Sequence, residues 1–178
     1  MDSIKQLIVE SSKARFLQHD YNDVCLTEIC RDAGITTGAF YRRFSEKKEL
    51  IRVIVDSAMS GLKAGIKEYQ AKMNEQFPKD PLEQNWLSAL VYQYRDELQI
   101  MLRHTPVMEK DAYLEELVET LIDAYGVNKN SFAHIAFKAY FMALTETTLY
   151  YESSQDAESC IDKIRTLIGL EACKEMAI

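Results

Sequence analysis

Residues 32–50 read DAGITTGAFYRRFSEKKEL, and this stretch decides the fold of the first third of the chain. Gly34 stands where a glycine commonly ends a helix, because glycine adopts a left-handed backbone conformation without steric cost. Thr36 is a good N-cap for the next helix, since its hydroxyl can accept from a free backbone N–H. Phe40 and Phe44 are four residues apart and therefore share the inner face of that helix. The sequence predicts two short helices joined by a glycine turn.

The rest of the chain has few helix breakers, with only six glycines and three prolines in 178 residues. Apolar residues recur at helical spacing, which predicts an all-α protein with short connections. The division near residue 94 is the weakest, and one continuous helix across it is the alternative. We predict helices at about residues 2–19, 26–33, 37–44, 46–73, 82–94, 95–103, 107–125, 130–152 and 156–175.

The first helices form a helix-turn-helix pattern, which divides the chain into a three-helix domain at residues 1–50 and a helical domain at residues 51–178. The charge is divided in a similar way. Residues 1–55 carry nine basic and eight acidic side chains, whereas the remainder carries twelve basic and twenty acidic, for a net charge of −7. Because salt screens charges beyond about 8–10 Å, a polyanion responds to the local field. The first third can therefore meet a polyanion although the whole chain is acidic.

The cysteines and the N-terminus indicate an intracellular protein. The first residues reach charged side chains too early for the apolar stretch of a signal peptide. The cysteines show no CxxC spacing, and we expect reduced thiols that face the core rather than ligands or disulfides. They are Cys25, Cys30, Cys160 and Cys173. We therefore expect a cytoplasmic location.

The sequence contains no recognisable arrangement of catalytic residues. No HExxH, GxSxG or glycine-rich phosphate loop occurs. The three histidines lie far apart in the chain, at His19, His104 and His134. We therefore expect no enzymatic activity, no metal and no cofactor.

The helix-turn-helix stretch resembles the DNA-binding signature of the TetR family of bacterial transcriptional regulators. The similarity covers about residues 1–55 and is tightest over residues 29–50, where the glycine turn, a tyrosine and a Phe-x-x-Lys spacing coincide. The matching positions are Ile29-Cys30, Ala33-Gly34-Ile35-Thr36, Gly38-Ala39-Phe40-Tyr41, Phe44, Lys47 and Leu50. The resemblance implies a homodimeric regulator that binds a double-stranded DNA operator and responds to a small molecule, most often as a repressor.

The resemblance places the second short helix in the DNA major groove, which is about 12 Å wide. Small residues at its start would approach the bases closely, and Arg42 would read a base because its guanidinium can pair with guanine. Tyr41, Arg43 and Lys47 would contact phosphates, which set the register without reading sequence. Thr27 would offer its hydroxyl to a phosphate from the preceding helix. The expected DNA-binding residues are Thr27, Thr36, Thr37, Gly38, Ala39, Tyr41, Arg42, Arg43 and Lys47.

The last two predicted helices differ in their apolar faces. Residues 132–151 are apolar on nearly every side, which requires burial all round. His134, Lys138 and Glu146 interrupt this run and argue against a membrane span. The expected partner of Glu146 is Lys138 or an interface group, with a cationic ligand as the alternative. We expect a core on one side of this helix and a second subunit on the other, with a monomeric core as the alternative. The final helix has one apolar stripe, formed by Ile161, Ile164, Leu167 and Ile168.

An effector pocket is a further expectation for the C-terminal domain. Trp86, Leu90 and Tyr94 are four residues apart and share one helix face. They would converge with other apolar side chains on a cavity whose composition is typical of small-molecule sites. Ordinary core packing is the alternative. The candidate lining residues are Met59, Trp86, Leu90, Tyr94, Met101, Tyr113, Phe137 and Phe141.

Together with the resemblance, these features predict a homodimeric, ligand-responsive DNA-binding regulator. In this hypothesis an unknown effector favours a dimer whose two recognition helices no longer lie about 34–36 Å apart, one turn of DNA. A dimeric helical scaffold that keeps the fold without binding an operator is the alternative. Steep salt dependence and a preference for specific DNA would distinguish the regulator from the scaffold.

Overall fold

The computed structural model describes residues 3–73, 86–125 and 132–168. Within these ranges the regular structure is helical, which confirms the predicted all-α fold. The helices are α1 (Ser3–Gln18), α2 (Leu26–Asp32), α3 (Thr37–Tyr41), α4 (Lys47–Met73), α5 (Trp86–Gln93), α6 (Arg95–His104), α7 (Val107–Tyr125), α8 (Phe132–Thr147) and α9 (Glu158–Ile168).

Each described helix corresponds to one predicted from the sequence, and the differences lie at the ends. A turn at Tyr94 separates α5 from α6, so the predicted division there is confirmed. In contrast, α8 ends at Thr147, earlier than predicted. The Thr147 hydroxyl donates to the Leu144 carbonyl at 2.7 Å, and such bonds compete with the helical ladder. The predicted start of α5 and end of α9 lie outside the described residues.

The chain forms two compact units. The first contains residues 1–58 and 96–107, and the second contains residues 59–95 and 108–178. The first unit is thus larger than the predicted domain of residues 1–50. The difference arises mainly because most of α6, which is distant in sequence, packs with the N-terminal helices. No local sequence pattern indicates that packing.

Apolar side chains from α1 to α4 form the core of the first unit. Phe16, Ile29 and Phe40 have no exposed surface, and Leu50 is equally buried. The ring of Phe44 lies 5.5 Å from that of Phe40, centroid to centroid, so both phenylalanines face the core as predicted. A five-residue helix such as α3 is not stable alone. Its stability comes from this core, where burial of one large apolar side chain contributes about 1.5–3 kcal/mol.

Ion pairs and hydrogen bonds between charged side chains hold α1 against its neighbours in the same unit. Arg15 donates through Nε and Nη2 to Oδ2 of Asp32, at 2.8 and 2.6 Å, and through Nη1 to Glu28 at 2.6 Å. The hydrogen bond from Arg15 is the main reason that the pKa of Asp32 lies below its usual value. Lys13 pairs with Glu97 of α6 at 2.6 Å. Directional bonds as well as apolar packing therefore hold α2 and α6 against α1.

In the second unit, α4 and α5 pack against each other along a row of matched residues. An added Cβ at Gly61 would lie 2.1 Å from the hydroxyl oxygen of Tyr94, and one at Gly65 would lie 2.5 Å from Cδ1 of Leu90. The two glycines therefore let the side chains of Leu90 in α5 and of Tyr94, just after α5, lie directly on α4. The next turn carries a stacked aromatic pair with centroids 3.9 Å apart. We call these pairs the α4–α5 ladder: Gly61 with Tyr94, Gly65 with Leu90, and Tyr69 with Trp86.

Within a single chain, α8 is buried on one side only. Tyr140 and Phe141 are almost completely buried, whereas Ile135 and Met142 are 65% and 38% exposed. The predicted burial on every side is therefore not met by one chain alone.

The ion pair expected inside α8 is replaced by a pair between helices. Lys138 pairs with Glu115 of α7. Glu146 is exposed, so its charge does not require a buried partner. Of the two expected partners of Glu146, Lys138 is therefore wrong.

Candidate nucleic-acid interface

The backbone at both ends of the glycine turn presents α3 on the surface of the first unit. Gly34 has a φ of 65°, the left-handed conformation that ends α2. The Thr36 hydroxyl accepts a hydrogen bond from the N–H of Ala39 at 3.2 Å and caps α3. Phe40 holds the other side of the helix in the core. The predicted glycine turn and the predicted N-cap are both confirmed.

Most residues predicted to bind DNA are open to solvent. Tyr41 is 60% exposed although its ring is large, and it meets Phe40 edge-on at 5.4 Å between centroids. Large exposed side chains are available to a partner without any rearrangement of the core. The half-buried members of the set are Ala39, Arg43 and Lys47, and the exposed members are Thr27, Thr36, Thr37, Gly38, Tyr41 and Arg42.

Gly38 lies in open space near the start of α3. An added Cβ there would meet only the Thr36 hydroxyl oxygen, at 3.9 Å. The backbone does not require glycine either, because Gly34 is the described glycine with positive φ. A glycine inside a helix costs about 1 kcal/mol relative to alanine. The described part of the protein therefore gives no internal reason for a glycine at this position.

The two arginines that follow α3 bond to its last free carbonyls. Arg42 donates through Nε to the carbonyl of Gly38, and Arg43 donates through Nη1 to that of Ala39, each at 3.2 Å. Helix ends leave such carbonyls without intrahelical partners. A guanidinium carries five N–H groups in a fork, so the bond through Nε leaves the terminal nitrogens of Arg42 for another acceptor.

Lys47 differs from the arginines because its ammonium points towards the segment between α1 and α2. The Nζ atom donates to the carbonyl of Val24 at 2.8 Å and also to that of Tyr21. Burial lowers the pKa of this lysine. The group predicted to contact a phosphate is thus engaged within the first unit.

Sequence reasoning missed Arg52, which is exposed on α4 and lines the same groove as the two arginines after α3. It follows Lys48 by one helical turn, and this spacing of basic residues is the signal that could have identified it. Acidic side chains also line the groove. The N–H of Ser45 donates to the Glu49 carboxylate at 2.7 Å and lowers the pKa of that carboxylate. The charged lining residues are Arg42, Arg43, Glu46, Glu49, Arg52 and Asp56.

The start of α2 brings Thr27 next to an exposed thiol. The Thr27 hydroxyl oxygen lies 3.0 Å from the sulfur of Cys25, and this hydrogen bond is the main cause of a lowered pKa of the thiol. The expectation that the cysteines face the core is therefore wrong for Cys25 and confirmed for Cys30. Cys173 lies outside the described residues.

The structure divides the eight candidate ligand-lining residues between the units. Met101 belongs to the first unit, and the other seven belong to the second. Three of these seven form the α5 side of the α4–α5 ladder, where they contact α4. Met59, Phe137 and Phe141 are buried, and Tyr113 is half-buried. Their role in lining an effector pocket stays a prediction.

The side chains of His104 and His134 lie close to polar groups within the protein. His104 Nε2 lies 2.7 Å from the carbonyl oxygen of Phe16, and His134 Nε2 lies 3.8 Å from a carboxylate oxygen of Glu115. Across residues 3–73, 86–125 and 132–168, no group of three or more His, Cys, Asp or Glu side chains could hold a metal ion. In that same part of the chain, no helix is both long enough and apolar enough to cross a bilayer.

A short helix, a left-handed glycine turn and an exposed second helix on a shared core define a helix-turn-helix domain. Residues 8–54, which lie within the first unit, match the family model described as bacterial regulatory proteins, tetR family. The resemblance to this family seen in residues 29–50 is therefore confirmed.

Two known proteins are similar to this chain, one over less than half of its length and the other over most of it. The HTH-type transcriptional regulator AcrR of Shigella flexneri is 36% identical over 78 residues, which are 44% of this chain and 34% of that protein. The crystal structure of a TetR family transcriptional regulator, PfmR from Thermus thermophilus, matches with a TM-score of 0.66 at 18% identity. That match covers 90% of this chain and 96% of PfmR. The match to AcrR thus spans about a third of that protein. The match to PfmR is a likeness of fold.

Proposed function

We propose that this protein is a cytoplasmic, sequence-specific DNA-binding transcriptional regulator whose α3 enters the major groove. The observation that carries the proposal is Gly38, where an added Cβ would meet open space apart from one hydroxyl at 3.9 Å. The glycine weakens the helix by about 1 kcal/mol without serving the described fold. A close approach by a DNA backbone or base edge gives a reason for it.

The side chains around Gly38 suit the two tasks of a DNA interface, which are to read bases and to bind phosphates. Arg42 is exposed and keeps its terminal nitrogens for a bidentate pair with guanine. Tyr41 and Arg43 flank it with groups that bond to phosphate oxygens, and Arg52 adds a further exposed cation on α4. Thr27 offers a hydroxyl from α2. In this proposal Arg42 reads sequence and the other four residues set the register.

Selection of duplexes from a random library by the full chain tests this proposal. We expect a preferred duplex whose affinity exceeds non-specific binding by about 10³ or more and falls steeply with salt. The Arg42→Ala variant should lose about 1–3 kcal/mol of binding free energy and relax the preference at one base pair. Arg31→Ala is a matched control, because this exposed arginine lies 3.8 Å from Glu28 on α2. Equal affinity of the parent for all duplexes would contradict the proposal.

We further propose that the protein acts as a homodimer through α8. Exposed residues on this helix follow one another at intervals of four, three and four positions, so they form a single stripe. Leu167 on α9 is also 85% exposed. Exposed apolar patches of this kind are typical of subunit interfaces. The stripe consists of Ile135, Ala139, Met142 and Glu146.

Sedimentation velocity tests the dimer. We expect the parent to sediment as a dimer and Ile135→Arg to sediment as a monomer with weakened binding to the selected duplex. Met108→Arg is the matched control, because Met108 is a comparably exposed apolar residue on α7 outside the stripe. A monomeric parent that binds the selected duplex with full affinity would contradict this part of the proposal.

We also propose that a small molecule bound among the apolar residues of the second unit regulates DNA binding, with the protein acting as a repressor. The apolar composition of this unit supports this choice, because Met59, Phe137 and Phe141 are buried there and such side chains are typical of small-molecule sites. Trp86 is the single tryptophan of the chain, so its fluorescence reports on that unit directly. A screened compound should quench Trp86 and release the selected duplex at the same concentration. Quenching without any change in DNA affinity would contradict regulation through this site.

A further inference from the structure

The ammonium of Lys47 has most of its bonding directions occupied within the first unit. Nζ donates to the carbonyls of Tyr21 and Val24, and it lies 4.2 Å from the centroid of the Tyr21 ring. An ammonium group has three N–H donors. Two carbonyls and one aromatic face therefore surround this charge, and an aromatic face attracts a cation.

The segment that Lys47 holds leads directly into α2. The N–H groups of Asp23 and Val24 both bond to the carbonyl of Asp20, at 3.0 and 3.2 Å, and form a tight turn. The side chain of Val24 is buried. The next residue is Cys25, whose carbonyl accepts the first hydrogen bonds of α2. A bond to the Val24 carbonyl therefore fixes the residue that precedes the start of α2.

Release of Lys47 to a DNA phosphate would leave the two carbonyls without this donor. Hydrogen bonds from a charged donor are roughly twice as strong as neutral ones, and a buried acceptor that loses its partner carries a desolvation penalty. Arg42 can reach outward without such a loss, because its Nε bonds to the carbonyl of Gly38 in its own short helix.

We propose that Lys47 supports DNA binding as a positioning residue, which fixes the turn at residues 20–24 and so sets where α2 begins and where Thr27 is presented. In this role Lys47 does not contact a phosphate. The inference rests on the proposed function, since it concerns how the DNA-binding surface is assembled. It joins α4, through its first residue, to the start of α2 within the first unit.

The salt dependence of DNA binding separates positioning from contact. A lysine that neutralises a phosphate contributes about 0.9 to the slope of log affinity against log salt concentration. Lys47→Met keeps the aliphatic stem and removes the ammonium. With the duplex selected by the parent, we expect about tenfold weaker binding or more at every salt concentration, with the slope of the parent. Arg43→Met is the comparison for a phosphate contact, and its slope should fall by about 0.9.

Hydrogen exchange provides a readout that does not depend on DNA. The amides of Glu28 and Ile29, which bond to the Cys25 carbonyl, should exchange faster in Lys47→Met and at the parental rate in Arg43→Met. Tyr21→Leu removes the ring but keeps the lysine and both carbonyls. Tyr21→Leu should also weaken DNA binding without changing the slope of log affinity against log salt concentration. It replaces Lys47→Met in this test if Lys47→Met does not fold.

The outcomes distinguish the inference from the proposed function. A slope lowered by about 0.9 in Lys47→Met, with unchanged hydrogen exchange, would overturn the positioning role and leave DNA binding intact. Failure of the parent to select any duplex would overturn the proposed function, and the positioning role in DNA binding would be lost with it. Weaker binding at constant slope with faster exchange in α2 would support the role proposed for Lys47.

Discussion

Glycines occur inside two helices of this protein for opposite physical reasons. In α4, an added Cβ at Gly61 would lie 2.1 Å from the hydroxyl oxygen of Tyr94, and one at Gly65 would lie 2.5 Å from Leu90. In α3, an added Cβ at Gly38 would have 3.9 Å to its nearest neighbour. The first two glycines make room for side chains of the same chain. The third lies in open space, and in the proposed function it makes room for DNA.

This comparison separates residues that serve the fold from residues that serve a partner. A glycine in a helix interior costs about 1 kcal/mol relative to alanine, a value that applies in full to Gly61 and Gly65 and as an upper limit to Gly38 in the first turn of α3. At Gly61 and Gly65 the close packing of α5 on α4 offsets that penalty. At Gly38 no packing by a described residue offsets it, and the proposed function supplies a reason for the glycine. Substitution by alanine should therefore change stability in α4 and change binding in α3.

The largest effect on stability is expected at Gly61. In Gly61→Ala the new methyl group would overlap the rigid ring of Tyr94, and overpacking of this kind costs about 1–3 kcal/mol. Urea unfolding followed by Trp86 fluorescence measures the loss. The double variant with Tyr94→Leu should recover part of it, as a double-mutant cycle would show. A stability equal to that of the parent would contradict the claim that Gly61 makes room for Tyr94.

A smaller effect is expected at Gly65. The atom nearest to an added Cβ is Cδ1 of Leu90, the end of a side chain that can change rotamer. The gain in helix propensity of about 1 kcal/mol opposes the cost of that rearrangement. The free energy of unfolding of Gly65→Ala should therefore lie within about 1 kcal/mol of the parent. A loss as large as that of Gly61→Ala would show that Leu90 cannot move.

The smallest effect is expected on acidification, and it should distinguish the first unit from the ladder. The hydrogen bond from Arg15 lowers the pKa of Asp32 in the folded protein. Its contribution to stability is therefore present above the unfolded pKa of about 3.9 and is lost as the pH falls through the folded pKa. Below about pH 3.9, the protection factors of α2 amides, corrected for the intrinsic pH dependence of exchange, should fall while Trp86 fluorescence stays constant. Asp32→Asn should flatten the response of α2, and an unchanged response would contradict this origin.

The order of helices and the turn around Gly34 could be predicted from the sequence because local signals determine them. Caps, glycine conformation and apolar spacing act over a few residues, and Thr36, Phe40 and Phe44 lie where such signals put them. The residues of the helix-turn-helix surface could be named for the same reason.

Features that depend on distant contacts could not be predicted in this way. The carbonyls that Lys47 binds lie 23 and 26 residues away in the sequence, so no local pattern indicates these two bonds. α6 joins the first unit through side chains such as Glu97, which pairs with Lys13 across 84 residues. The end of α8 also differs, because the hydroxyl of Thr147 competes with the backbone.

The Gly38→Ala variant tests most directly the claim that the surface of α3 is shaped for DNA. The same preparation is measured for unfolding in urea and for affinity to the duplex selected by the parent. If Gly38 makes room for DNA, Gly38→Ala should have unchanged or higher stability, by up to about 1 kcal/mol, and should bind the duplex more weakly, by about tenfold or more. Unchanged affinity for the duplex, or a loss of stability that accounts for the weaker binding, would contradict that claim.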